Sequence, residues 1–530
     1  NDFFIVNDQV KVDLNQFSLK SEDFGKLSSL KTKININPCK IELDSFDLAA
    51  EASIMKGSLE LETLNSSLGF FHNHSILNLN LKEGKLTKEL LNKFTLVPES
   101  FESLDLNFKA SGLFSDLRLS NLIIKNDYLD FAANFNLKKD LTTNLYSVNT
   151  NIEKFDFSTK NLKHFLTRSV FDKIPEVFFK YDDIQIDGEA SYRNKSLTTN
   201  LNFTIDDGVI FQKSILSFKD NKPHRFEGNF YFDKFNLNQW GDKLGTLVAD
   251  LYISANSLLS DSIDLNYNLI INQLFIGKTP LTKLSFKGNY KFKTFTSDIN
   301  IDDNLISAKS AISFSWSDYQ KKYQLDLNLN HLNLHLLNNR LGYGKAIFSG
   351  DLTVFLVGNS FDKIQGNLLF KNLNFENINE KFSFNDFIIE TKLSDGFRSL
   401  KTINSDLINF DLEGKFLLSQ FPYLFENAIA EVYSFIPRKK VNPGQSISYN
   451  LNFPSGNLNA IFPDLSIYDS ALFRGVFSDD ENVSKLVIKI PKIIYKGIKF
   501  EDIDFQLDNQ NPFFNTYISV GSVISTDFVF

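Results

Sequence analysis

Apolar and polar residues alternate along most of this chain with a period of two. Ile263, Leu265, Tyr267, Leu269 and Ile271 alternate with Asp264, Asn266, Asn268 and Ile270. Leu325, Leu327 and Leu329 alternate with Asp326, Asn328 and Asn330, and Leu332, Leu334 and Leu336 resume after a one-residue slip. Phe131, Ala133, Phe135 and Leu137 follow the same rule, as do Leu197, Leu201, Phe203 and Ile205. Such a period predicts strands with one apolar and one polar face. One-sided strands belong to antiparallel sheets, because buried parallel strands read as continuous apolar runs. The slip at Asn330 predicts a β-bulge or a tight turn.

Turn chemistry separates the alternating runs. Asp206-Asp207-Gly208 is a hairpin signal of the Asp-Gly type. A looser recurrence, Gly followed by a small or polar residue and then alternation, reads as a strand start at Gly57, Gly228, Gly288, Gly350, Gly366 and Gly456. Its spacing is irregular, which predicts a meander of similar hairpins and excludes a fixed-period solenoid.

Three stretches change to helical spacing. Leu86, Leu90, Leu91 and Phe94 predict a short helix near 86–95. Leu162, Phe165, Leu166 and Val170 predict a second near 159–173, with Thr159 as N-cap and Pro175 beyond its end. Phe421, Leu424, Phe425, Ala428, Ile429 and Val432 predict a third near 420–434, with a loop at 437–444. Each is amphipathic and is expected to lie on the apolar face of a sheet. The expected fold is therefore mainly β: a long, curled antiparallel sheet forming an apolar groove over 1–530, with a few short amphipathic helices.

Composition narrows the function classes. Lys and Arg total 56 against 64 for Asp and Glu, and no basic block stands out, which argues against nucleic acid. The only cysteine, Cys39, excludes an internal disulfide framework. No apolar run is long enough to span a membrane as a helix, and no stretch reads as a signal peptide, so neither is expected within these residues. The chain starts at Asn1 and stops at Phe530 inside an alternating stretch, so it is expected to be a segment of a longer protein.

The candidate chemistry is sparse. His72 and His74 would share a strand face, and His331 and His335 are four apart, but no Cys pair or carboxylate completes either set as a metal site. Asp182-Asp183, Asp206-Asp207, Asp302-Asp303 and Asp479-Asp480 fit turns better than calcium or acid catalysis. Gly342-Tyr343-Gly344 lacks the third glycine and the strand-to-helix setting of a dinucleotide loop. No catalytic motif, metal or cofactor is expected.

What remains is the quantity of one-sided strand. At about 13 residues per strand and turn the chain supplies roughly 40 strands, near 190 Å at about 4.8 Å each. A sheet of that size must curl or split. Three short helices cannot cover it, so a curled trough is expected to expose an apolar lining suited to acyl chains. Leu265, Tyr267, Leu269, Leu325, Leu327, Leu329, Leu332 and Leu334 are the expected lining. Stacked β-sandwiches, as in a surface adhesin, and an outer-membrane β-barrel are the alternatives. Few Trp, no aromatic girdles and internal helices argue against the barrel. Weak linkers argue against the sandwiches.

These hairpins, with Asn- and Asp-rich polar faces, resemble the AsmA/TamB superfamily. The sharpest match runs over about 405–505. Ser405-Asp-Leu-Ile-Asn-Phe-Asp-Leu-Glu-Gly414-Lys-Phe leads into the helical stretch and the exit Tyr433-Ser-Phe-Ile-Pro437. Ile461-Phe-Pro-Asp-Leu-Ser-Ile467, Gly475-Val-Phe and Pro491-Lys-Ile-Ile-Tyr-Lys-Gly-Ile498 follow in order. That succession is similar to the central region of Bacteroidota-type TamB proteins, and Gly112-Leu-Phe-Ser-Asp-Leu-Arg-Leu-Ser-Asn-Leu fits further upstream. The resemblance implies a β-taco in the periplasm of a Gram-negative bacterium, in a parent protein anchored in the inner membrane. It implies phospholipid transport, or assembly of outer-membrane proteins with a BamA-like barrel partner. The family's N-terminal anchor and C-terminal signature domain have no counterpart in this sequence, so those contacts are expected outside it.

Overall fold

A computed structural model describes residues 2–6, 9–21, 25–63, 75–93, 101–140, 143, 145–164, 166, 168–172, 174, 176–259, 262–317, 320–334, 346–377, 381–430, 435, 437–454, 464–478, 480–513 and 515–525. Their 33 strands belong to one antiparallel sheet, which does not close. Strands reach 15 residues at Lys222–Asn236. Pairing is chiefly between sequence neighbours. Asp183–Arg193 meets Ser196–Ile205 in register from Ile184 opposite Ile205 to Arg193 opposite Ser196. The chain divides into two compact units, Asn1–Pro280 and Leu281–Phe530.

Mid-strand bulges give the sheet its curl. In the first unit the register shifts at Leu43/Phe46, Leu81/Gly84, Leu119/Leu122, Ile152/Phe155 and Phe232/Phe235. In the second it shifts at Leu329/Leu332, the slip legible at Asn330, and at Ser349/Asp351. A bulge bends its strand and increases the local twist. Small side chains occupy some positions of the apolar side. Ala110, Ala133, Ala249 and Ala308 are all at least 95% buried, and all lie in the apolar phase.

Of the glycines read as strand starts, Gly366 is the second residue of Gln365–Glu376, whereas Gly57 is the fifth of Ser53–Thr63 and Gly228 the seventh of Lys222–Asn236; Gly456 lies outside the described residues. At Gly57 the backbone of Asn80 on the neighbouring strand comes too close for a side chain. Gly414 shows the constraint: its φ is +148°, and an added Cβ would overlap the Ser446 carbonyl oxygen across the ladder. Gly414→Val is expected to lower the unfolding free energy by about 2–3 kcal/mol in urea titration. An unchanged midpoint would show that the strand can move aside.

Helix is scarcer than the spacing predicts. The strand Ser75–Thr87 runs through Leu86, leaving α1 (Lys88–Leu91) as a single turn. The stretch near 159–173 divides into a 3-10 helix, Thr159–His164, and a short α2 (Arg168–Phe171). Thr159 does not act as an N-cap; its hydroxyl donates to the Tyr181 carbonyl. A further 3-10 turn, Glu176–Lys180, follows. Among the described residues, only α3 (Phe421–Ala430) is a sustained helix; residues 94–95, 165, 167, 173 and 431–434 lie outside that set. Residues 437–444 are irregular apart from a turn at Pro443-Gly444.

Candidate functional site

The apolar face is built from rows of side chains running across consecutive strands. In the first unit, Leu265 continues a row through Ala255, Phe226 and Leu216, and Leu269 one through Leu251 and Phe230. In the second, Leu327 continues a row through Ser310 and Ile299 on one side and Leu352, Phe370 and Phe387 on the other. Leu265, Tyr267, Leu269, Leu325, Leu327, Leu329 and Leu332 are half-buried, while Asp326 and Asn328 on the opposite face are exposed. Leu334 differs. It is closed over in a cluster with Ala346, Leu373, Phe375, Phe384 and Phe387.

Short irregular elements seal part of this face in each unit. In the first, Tyr181 packs on Ile184, Ile205 and Phe235, and its hydroxyl donates to the Asn236 carbonyl at 3.1 Å. Trp240 Nε1 donates to the same hydroxyl at 2.7 Å. In the second, Leu424 of α3 is fully buried on Leu412, Phe416, Ile447, Tyr449 and Phe477. The lining is thus half-buried along Leu325–Leu329 and roofed by helix at Leu412–Ile447.

Polar groups interrupt the lining at points that the alternation did not foretell. Gln212 and Ser214 face inward; Gln212 Nε2 donates to Thr199 Oγ1 at 2.8 Å and also to Ser214 Oγ. Gln212 Oε1 is buried with no partner among the described residues. Arg398 is completely buried. Its Nη1 donates to the Ile364 carbonyl (2.8 Å) and to Thr391 Oγ1 (2.7 Å), and its Nη2 to the Asp362 carbonyl (2.8 Å). Among the described residues no carboxylate hydrogen-bonds the guanidinium. Asp362 instead accepts from the Ser419 amide and hydroxyl, each at 2.8 Å, just ahead of α3. Burial pulls the Arg398 pKa below its ordinary value, and the nearby Asp362 charge opposes that pull.

No protein-family model matches the sequence, and no curated protein matches it.

The candidate chemical residues fall into turns and ladders. Asp206 and Asp207 form a hairpin turn, with Asp206 at φ 51°. Asp303 is buried and accepts from the Thr282 amide, the Thr282 hydroxyl and the Leu305 amide, each at 2.8 Å. Burial alone would raise its pKa, but those donors outweigh it and hold the carboxyl below its usual range. His331 pairs through Nε2 with the Asn304 carbonyl at 3.2 Å. His72, His74, His335, Gly342–Gly344 and Asp479 lie outside the described residues. Among the described residues no cluster of three His, Cys, Asp or Glu side chains is placed to hold a metal, and no helix is long and apolar enough to cross a membrane.

Proposed function

We propose that this chain is a segment of a TamB-type lipid conduit in the periplasm, carrying phospholipid acyl chains along its apolar face between inner and outer membranes. The observation that supports this reading is the half-buried lining: row after row of Leu, Ile and Phe on the inside of a curled sheet, with helix covering only part of it. A hydrocarbon chain laid there exchanges water for apolar surface at about 25 cal/mol per Å². No reaction is assigned; the chain acts by sheltering apolar cargo. Help with outer-membrane protein assembly belongs to the same proposal, with a BamA-like barrel reached through regions outside this chain. An open sheet argues against the barrel alternative.

A photo-crosslinking residue at 325 or 329 tests the reading in cells. Phospholipid adducts are expected at both sites and absent at outward positions 326 and 328. Equal labelling on both faces would sink the conduit.

A further inference from the structure

The strand Gly208–Lys219 carries apolar residues on both faces, with Ile210 and Leu216 on the inner one and Phe211 and Ile215 on the outer. Its turns fix the register, with Ile205 opposite Gly208 and Lys219 opposite Lys222. That register turns Gln212 and Ser214 inward and leaves Phe211 and Ile215 outward, 44% and 46% exposed. A one-residue slip would turn Phe211 and Ile215 inward only by exposing Ile210 and Leu216, so an apolar pair stays outside in either register.

Its neighbours extend the exception. Phe211 lies opposite Tyr231, which lies opposite Asp250, which lies opposite Ile270. The Phe211 and Tyr231 rings stack at 6.0 Å and 26°. They form one side of a hollow of about 330 Å³ whose polar lining includes Asn200, Lys213, Asn229 and Asn268. None of these four side chains makes a hydrogen bond or ion pair among the described residues. A second hollow, about 630 Å³, shares Asn200 and Lys213 and continues to Asn134, Asn149 and Arg118. Together they cross nine strands, from Asp116–Asn126 to Asp264–Ile276, or on the order of 40 Å at the usual strand spacing.

We propose that this outer face of the first unit binds an extended oligosaccharide, with Phe211 and Tyr231 as its platform. Two near-parallel, exposed rings offer apolar surface to the C–H face of a sugar ring. Free carboxamides donate to and accept from its hydroxyls, which are both donors and acceptors. A protein partner fits less well, since its interface would need roughly 800 Å² on this chain, whereas three exposed apolar side chains broken by Asp250 form only a narrow row. Nucleic acid would need a run of cations, and the two hollows offer Arg118 and Lys213 beside Glu189. The site lies opposite the apolar lining and does not depend on the lipid reading.

Calorimetric titration of the whole chain with cellohexaose, and separately with chitohexaose, tests it. Saturable binding of at least one sugar is expected, weakened at least tenfold by Phe211→Ser with Tyr231→Ser. Asn229→Ala, which leaves both rings in place, is expected to weaken it severalfold. Phe292→Ser removes an aromatic 67% exposed in the second unit and leaves affinity unchanged. No saturable heat with either sugar overturns the site, as does binding that ignores the Phe211, Tyr231 and Asn229 changes. Sedimentation adds one further overturning result: self-association of the native chain that Tyr231→Ser abolishes, with neither sugar bound, would make the patch a protein interface.

Discussion

Leu327→Glu is expected to leave the second unit folded and to abolish phospholipid adducts at a photo-crosslinker placed at position 325. Leu327 sits mid-row between Ser310 and Leu352 and is half-buried, so a carboxylate there keeps contact with water while cargo is absent. The unfolding free energy should fall by no more than about 1–2 kcal/mol. An acyl chain passing the same point must strip that water, and leaving a carboxylate dry costs far more than one chain gains from the contact. Leu412→Glu provides the contrast. Leu412 is sealed beneath α3, and a charge there has no water to keep, so the second unit should unfold. Urea titration of both variants separates the cases. If Leu327→Glu unfolds the unit as Leu412→Glu does, the lining is a closed core and the conduit reading fails.

Arg398→Ala is expected to destabilise the second unit by about 3–5 kcal/mol. The substitution removes a buried side chain whose nitrogens satisfy the Asp362 and Ile364 carbonyls and the Thr391 hydroxyl. It leaves those acceptors dry beside a cavity. It also frees the turn holding Asp362, whose carboxylate binds the Ser419 amide and hydroxyl before α3. Arg398→Met fills more of the space and should cost less, though the carbonyls remain unpaired. The two tryptophans report the units separately: Trp240 lies in the first and Trp316 in the second. In a Trp240→Phe background, Trp316 fluorescence should unfold at lower urea. In a Trp316→Phe background, Trp240 should be unmoved. A loss below about 1 kcal/mol would mean that the guanidinium is solvated, contrary to its complete burial.

Alternation made the strands legible wherever a strand carried one apolar phase. Leu325, Leu327 and Leu329 were assigned a face, and the slip at Asn330 marks a real bulge. It misleads where both phases are mixed. Phe211 and Ile215 look like core beside Lys213, yet the hairpin turns force Gln212 inward. Phe397 and Arg398 show the same inversion, the phenyl ring half-exposed and the guanidinium buried. Register is a tertiary property set by turns and neighbouring strands, and no window within one strand contains it. The glycines misled for a related reason. What Gly57 and Gly414 accommodate is the backbone of another strand, which only the pairing reveals. Helical spacing near Leu86 began too early, because that residue continues a strand opposite Leu104 and α1 starts at Lys88. The aromatic hollow went unseen because it joins residues from several strands.

The meander has a further consequence for how such a chain acquires its structure. Almost every strand finds its partner within the next hairpin, so closing each pair requires ordering only a short loop, at small entropic cost. Local pairing of this kind can begin before the rest of the chain is present and then advance by addition at a growing edge, as in repeat proteins. That edge is the vulnerable point. Until the next hairpin covers it, a row of unpaired amides and carbonyls faces outward, able to recruit the wrong strand. The long charged side chains along the strands, such as Lys154 between Asp130 and Asp156, then serve a second purpose. They make an unfinished edge soluble while it waits.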